Sequence, residues 1–317
     1  MTRRVGQRIP NLAVRAADGA QHRLYLYHHG QPQALVLGTL DPESLQSVSD
    51  WASTEEKNVL WLCREIAADV PVGLRALQLA PEDWDICCGM LGADCGLLWL
   101  DSGFRVLDAW QADVPVAAQF IQWQSFAGTR DLPAPALYVP DVLDADECTA
   151  LIRYLRDVRG GGGASGVYAY ENGKAEFRLD PNIKARHEAL VEDRDLEQRI
   201  HNAIAARVIP EIWRCFHFAV NRRDPLKVIR YDEGAGYFRA HRDNDSPDTA
   251  YRRFAMTLNL NTGDYQGGEL SFPEFGARRY SAGAGDALVF SCSLLHEAHD
   301  VRQGQRYALV TFFSGSR

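Results

Sequence analysis

The 317-residue chain has no apolar run near the roughly 20 residues that a membrane span needs. It has no basic surplus either. Asp and Glu number 42 against 34 Lys and Arg, a formal charge of −8. A general nucleic-acid binder carries the opposite balance, so neither nucleic acid nor membrane is expected as a partner. Met1-Thr2-Arg3-Arg4 is basic, but no apolar segment follows, and no secretory signal is expected. The seven cysteines form no regular framework, and Cys95 follows the adjacent pair Cys87-Cys88 at no common zinc-site spacing. Reduced thiols in a cytoplasmic protein are the expectation. No internal repeats are evident.

What is present is an ordinary globular composition, 46% apolar and 24% charged, long enough for two domains. The first third alternates strands and helices. "RIPNLAVRAADGAQHRLYLYHHGQPQALVLGTL" reads as two strands around an Asp18-Gly19 turn, then a buried strand at Ala34–Leu37. A helix follows from about Pro42 to Lys57 with Asp41 as N-cap. "NVLWLC" is another buried strand, and "CGLLWLDSGFRVLDAW" a hairpin around Asp101-Ser102-Gly103. This pattern predicts an α/β domain with a mixed sheet.

Residues 1–125 resemble the peroxiredoxin branch of the thioredoxin fold, through "VGQRIPNL", "ADGAQHRLYLYHHGQPQALVL" and "LLWLDSGFRVLDAW". The resemblance implies a peroxide-reducing cysteine at the start of the helix after Ala34–Leu37, where a helix N-terminus would stabilise a thiolate. The chain has "TLDPESLQS" there, with Ser44 and Ser47 and no Cys. A serine hydroxyl supplies no low-pKa thiolate. The domain is therefore expected to be a redox-dead scaffold, serving dimerisation, substrate docking or support of the second domain.

Three prolines in "FAGTRDLPAPALYVPDVL" place a linker at 126–135 and a second domain at 136–317. Asp144 is expected to cap a helix with Cys148, Leu151, Ile152 and Leu155 on one face. "RGGGGASG" reads as a flexible loop, a lid and an ordinary connection both being open. "LEQRIHNAIAARVIPEIWRCF" reads as a helix broken near Pro210. Six short strands between Gly-rich turns follow from residue 226, which predicts an antiparallel sandwich or barrel.

Within that region, "GYFRAHRDND" sets His241 two residues before Asp243. On a strand, residues i and i+2 share a face, so both side chains can reach one ion. Alone, the pair reads as a surface turn. A third ligand is offered by His296 in "ALVFSCSLLHEAHD", with His299 competing and read as a non-ligand. Two histidines and a carboxylate suit a non-haem Fe(II) oxygenase. Arg306, inside "GQRYALVTFF", needs an anionic partner if buried. Its planar guanidinium fits a carboxylate, and Tyr231 can add a hydrogen bond.

On these residues, 134–317 resembles the Fe(II)/2-oxoglutarate-dependent dioxygenases of the prolyl 4-hydroxylase type. The matching pieces are Tyr231, His241 with Asp243, Gly267-Gly268-Glu269-Leu270 with Phe272, "GDALVF", His296 and Arg306. The resemblance implies an α+β domain with a double-stranded β-helix (jelly-roll) core. It implies Fe(II) on His241, Asp243 and His296, and 2-oxoglutarate on Arg306 and Tyr231, with Thr257 and Asn259 facing the cosubstrate. O2 is the oxidant and ascorbate a reductant. The expected reaction is hydroxylation of a C–H bond in an amino-acid residue, prolyl included, or in an amino-acid-like small molecule, with release of succinate and CO2. Since Asp243 is present, hydroxylation rather than halogenation is implied.

The alternative is a non-catalytic scaffold, which the complete ligand set opposes. Arg222, Arg223, Lys227, Arg230, Arg239, Arg242, Arg252 and Arg253 cluster in residues 222–253, interleaved with Asp224, Asp232, Glu233, Asp245 and Asp248. The cluster is read as a self-paired solvated face rather than an anion trap. A homodimer through the N-terminal domain is a further expectation.

Overall fold

The structure, a computed structural model, describes residues 7–10, 12–27, 33–54, 59–66, 69–101, 103–111, 132–171 and 174–315. Its contacts divide the chain into two units: Met1–Leu132 with Pro273–Gly276, and Pro133–Phe272 with Ala277–Arg317. Most of the expected linker at 126–135 lies outside the described residues. Among the described residues, no helix is long and apolar enough to cross a membrane.

The first unit is built on one mixed sheet. Its strands are β1 (Ala13–Arg15), β2 (Gln21–Arg23), β3 (Gln33–Leu37), β4 (Val59–Cys63), β5 (Leu74–Leu79), β6 (Gly96–Leu100) and β7 (Val106–Gln111), in the order β2-β1-β5-β4-β3-β6-β7. β3, β4 and β5 run parallel, and β6 and β7 return antiparallel. β3, β4 and β6 are buried along their whole length. Such unbroken apolar runs are what a sheet covered on both faces requires. Leu35 and Leu37 enter one core and Ala34 and Val36 the other. The helix after β3 spans Pro42–Thr54, and Asp41 Oδ1 accepts from Ser44 N at 2.9 Å.

Beside two two-stranded ribbons, the second unit holds two larger antiparallel sheets, a jelly-roll-like arrangement. The larger runs in the order Leu137–Val139, Ala287–Ser291, Phe254–Asn259, Gln305–Ser314, Lys227–Asp232, His187–Leu190, Gly163–Ala164. The smaller runs Lys184–Ala185, Tyr237–His241, His296–Ala298, Leu270–Ser271, Arg279–Tyr280. Strand parity divides the larger sheet into two faces. Val228, Met256, Leu258, Val289 and Leu309 pack with the helices. Ile229, Tyr231, Thr257, Phe290 and Arg306 line a pocket on the other side.

The helix Ala145–Arg153 begins with a capping box. Asp144 Oδ1 accepts from Glu147 N at 2.8 Å, and Glu147 Oε2 accepts from Asp144 N at 3.0 Å. Of its predicted apolar face, Cys148, Leu151 and Leu155 are buried and Ile152 is half-buried.

Two expectations need correction. The helix read as broken near Pro210 is continuous over Arg194–Phe216. Leu196, Ile200, Ile204, Val208 and Ile212 form one buried stripe through it. Each such side chain stabilises by about 1.5–3 kcal/mol, which together outweighs the roughly 3 kcal/mol that an internal proline costs. The glycine run is no free loop. Gly160, Gly161 and Gly162 all take positive φ, and Gly163–Ala164 then pairs with His187 and Glu188. Arg230 Nη1 also donates to Gly161 O at 3.3 Å.

Candidate active site

His241 ends the strand Tyr237–His241, and His296 opens the strand His296–Ala298. The two strands are neighbours, and the two histidines stand opposite one another in register. Asp243 lies in the turn after His241, not on the strand, so strand parity is not what aims it. Its backbone does so instead: Asp243 N donates to Cys292 O at 3.0 Å. The result is a tight cluster. Asp243 Oδ1 is 3.5 Å from His241 Nε2, and Oδ2 is 3.4 Å from His296 Nε2. One ligand atom from each of the three residues falls within 4.8 Å of the others.

The second ring nitrogens fix the chemistry. His241 Nδ1 donates to Arg239 O at 2.8 Å, and His296 Nδ1 donates to Leu294 O at 3.0 Å. A carbonyl accepts but never donates, so each imidazole carries its proton on Nδ1. The Nε2 atoms of both rings face the carboxylate, an arrangement suited to a metal ion. Phe238 stacks on His241 with centroids 3.4 Å apart, and Phe290 meets His296 edge-on at 4.7 Å. Burial pushes the His296 imidazole down to about 4, against the pull of Asp243. For Asp243, burial opposes ionisation, but His296, His241 and Arg252 outweigh it and hold the carboxyl at about 2. A neutral imidazole and an ionised carboxylate are the protonation states a divalent cation requires. The donor set fits iron.

Arg306 and Tyr231 stand directly opposite across adjacent strands. The Arg306 guanidinium lies 5.3 Å from the Tyr231 ring centroid. It donates to Asn259 Oδ1 at 2.8 Å and to Thr257 Oγ1 at 3.4 Å. Thus all four residues expected at the cosubstrate are together. Arg306 is 3% exposed, and among the described residues no carboxylate pairs with it, while its Nε is buried without a partner. A buried cation in that state calls for an anionic ligand. Gly268 makes the room: a Cβ there would stand 2.8 Å from Arg306 Cδ.

Residues 226–314 match the 2OG-Fe(II) oxygenase superfamily. A PKHD-type hydroxylase of Pseudomonas putida strain F1 is 31% identical over 185 residues, covering 54% of this chain and 75% of that protein. The chain belongs to the 2OG-Fe(II) oxygenases of PKHD hydroxylase type. A PKHD-type hydroxylase of Alteromonas mediterranea is 27% identical over 184 residues, covering 56% of this chain and 76% of its own. The crystal structure of a Pseudomonas putida prolyl-4-hydroxylase aligns at TM-score 0.43 and 19% identity, over 58% of this chain and 94% of that one. The protein is thus an Fe(II)- and 2-oxoglutarate-dependent hydroxylase that uses O2, and the scaffold alternative is not favoured.

Other expectations have clear outcomes in the oxygenase. His299 is not in the cluster; its Nε2 bonds Ser271 Oγ at 2.7 Å. The basic cluster is largely ion-paired but only partly with itself: Arg230 pairs with Asp232 and Arg252 with Asp224, whereas Arg223, Lys227 and Arg239 pair with Glu197, Glu188 and Asp300 from outside the stretch. Arg252 also backs the site, its Nη1 reaching Asp243 O at 3.5 Å. Sequence reasoning missed Phe238 and Arg186, both of which line the pocket. A signal was there for the second. Lys184, Arg186 and Glu188 alternate along "KARHE", which puts three charges on one face.

Proposed function

We propose that His241, Asp243 and His296 hold the iron, and that Arg306, Tyr231, Asn259 and Thr257 hold 2-oxoglutarate by its distal carboxylate. The observation that carries this reading is the pair of Nε2 atoms converging on the Asp243 carboxylate, beside a buried arginine that no carboxylate pairs with among the described residues. Iron held by His241, Asp243 and His296 would supply the oxidising chemistry that couples conversion of 2-oxoglutarate and O2 to succinate and CO2 with hydroxylation of a C–H bond. The chain's own groups orient and exclude. Leu294 O and Arg239 O keep the Nδ1 protons in place. Phe238, Phe290, Ile229 and Leu270 give the pocket apolar walls that exclude water. Asn259 Oδ1 steers the Arg306 fork.

The substrate in this reading is an amino-acid residue, prolyl included, of a polypeptide or an amino-acid-like small molecule. The N-terminal unit is read as a thioredoxin-like, peroxiredoxin-type domain without redox activity, which forms a homodimer. Its strand order and its parallel core strands support that reading, as does Cys87, whose thiol burial pushes up to about 12. All seven cysteines are free, which fits a reducing, cytoplasmic setting.

The test is succinate release from 2-oxoglutarate by the purified protein with Fe(II) and ascorbate, beside His241→Ala and Arg306→Met. The parent turns over slowly even without a primary substrate, and both variants lose turnover. Equal succinate release from parent and variants would refute the assignment.

A further inference from the structure

At Arg186 the chain passes from the smaller sheet to the larger: Lys184–Ala185 pairs with Tyr237 and Phe238, and His187–Leu190 with Lys227–Arg230. The side chain, 11% exposed, lines the pocket that holds His241 and Asp243. Its Nη1 donates to the Tyr231 hydroxyl at 3.2 Å and its Nη2 to Glu188 Oε2 at 2.9 Å, while its Nε is buried without a partner.

Charge does not balance at this end of the pocket. Glu188 is one carboxylate. Besides Arg186 it takes Lys227 Nζ at 2.8 Å and Ser165 Oγ at 2.6 Å. Lys184 adds a third basic group. Its Nζ donates only to Gly166 O, at 3.0 Å, and stands 4.7 Å from the centre of the Phe238 ring. Burial, then the charge of Arg186, push the Lys184 ammonium down to about 7. Even with Lys184 neutral, Arg186 and Lys227 thus share the one Glu188 carboxylate. Arg306 and Arg186 lie 5.3 Å and 5.9 Å from the Tyr231 ring centroid; in the site assignment above the distal carboxylate of 2-oxoglutarate goes to Arg306, which leaves this surplus in place.

We propose that Arg186 anchors a free carboxylate of the primary substrate, so that this oxygenase takes anionic, amino-acid-like substrates. The proposal rests on the site assignment made above. A guanidinium whose Nε has no hydrogen-bond partner suits a carboxylate. It lies on the same pocket wall as Phe238, which stacks on the ligand His241, so a molecule held by its carboxylate presents its carbon skeleton to the iron site. The carboxylate has two sources, a main-chain terminus or an acidic side chain.

The experiment uses the full chain with Fe(II) and 2-oxoglutarate under argon. Calorimetry titrates N-acetyl amino acids and the matching N-acetyl amino-acid amides, with all twenty side chains represented. Succinate release in air is then read with each binder. At least one compound with a free carboxylate binds on the order of tenfold to a hundredfold more tightly than its uncharged counterpart. A preference for acids over amides assigns a main-chain carboxylate. Selective binding of the aspartate and glutamate amides assigns a side-chain one. Arg186→Met brings that ratio close to one, and Arg186→Lys restores part of it, which a merely structural role does not explain.

Equal binding of charged and uncharged forms overturns the proposal, as does a set in which nothing binds, or a ratio that survives in Arg186→Met. If Arg186→Met weakens 2-oxoglutarate binding as steeply as Arg306→Met, Arg186 serves the cosubstrate and the proposal falls. A parent that binds no 2-oxoglutarate would instead sink the underlying site assignment.

Discussion

Gly268 contacts no substrate in this reading, yet replacing it with alanine is expected to damage cosubstrate binding. Its φ is +68°, a region where a side chain costs roughly 1–2 kcal/mol. The added Cβ would also stand 2.8 Å from Arg306 Cδ and 3.0 Å from Val301 Cγ2. Carbon contacts settle at about 3.5–4.0 Å, so Arg306 must retreat by roughly 0.7–1 Å. Its hydrogen bond to Asn259 starts at 2.8 Å and would pass the roughly 3.2 Å limit of a good N–H···O bond. A charge-assisted bond contributes about 1.5–3 kcal/mol. The dissociation constant for 2-oxoglutarate is therefore expected to rise about tenfold or more.

Gly234 is a matched control. Its φ is +69°, but a Cβ there meets nothing within 4 Å. Gly234→Ala incurs the backbone strain alone. Both variants should melt a few degrees lower, at roughly 2–4 °C per kcal/mol for a domain of this size. Only Gly268→Ala should weaken 2-oxoglutarate binding, read by calorimetry with Fe(II) in the absence of O2. If the two variants bind the cosubstrate equally well, the steric route from Gly268 to Arg306 is wrong.

Two further outcomes follow from the same physics. Pro210→Ala restores a backbone N–H inside a helix already held by Ile204, Val208 and Ile212, so it should stabilise by about 1–3 kcal/mol; a lower melting temperature would refute this account of the helix. In the metal-free protein, His296 titrates near 4 when folded, against about 6.5 unfolded. Between those values the unfolded chain binds a proton that the fold refuses. Stability held above pH 6.5 is thus lost as pH falls toward 4, by on the order of 2–3 kcal/mol. Denaturant melts of His296→Gln should show a shallower loss over that window, and an unchanged slope would contradict it.

That Tyr231, Thr257, Asn259 and Arg306 come together was implied by the family resemblance, and strand parity explains why they do. Once Lys227–Asp232, Phe254–Asn259 and Gln305–Ser314 are read as strands, the side on which Tyr231, Thr257, Asn259 and Arg306 stand is fixed. The reason for pairing His241 with Asp243 was partly wrong. His241 does sit on a strand, but Asp243 has left it, and Cys292 O holds it in place through a backbone bond that no pattern of side chains announces. The Pro210 helix was misread because a local cost was weighed without the buried stripe that offsets it. Arg186 was overlooked because its importance lies in which sheets meet there, a tertiary fact. Its alternation with Lys184 and Glu188 was the sole hint along the chain.

The site is held by residues that never approach it. Arg306 faces the pocket because Tyr307, Leu309 and Phe313, one step out of phase, belong to the core under the helices. A one-residue slip of Gln305–Ser314 against Lys227–Asp232 would exchange the two faces. Leu309 would enter the polar pocket, and Arg306 would enter the apolar core with no partner. Burying an unpaired guanidinium costs several kcal/mol, and removing buried aliphatics from the core costs about 1.5–3 kcal/mol each. Against a total stability of about 5–15 kcal/mol, the slipped register has no population. The arginine that is awkward to bury therefore specifies its own position. It is tolerable only in the register that sets it opposite Tyr231 and beside Asn259, whose Oδ1 accepts from its guanidinium.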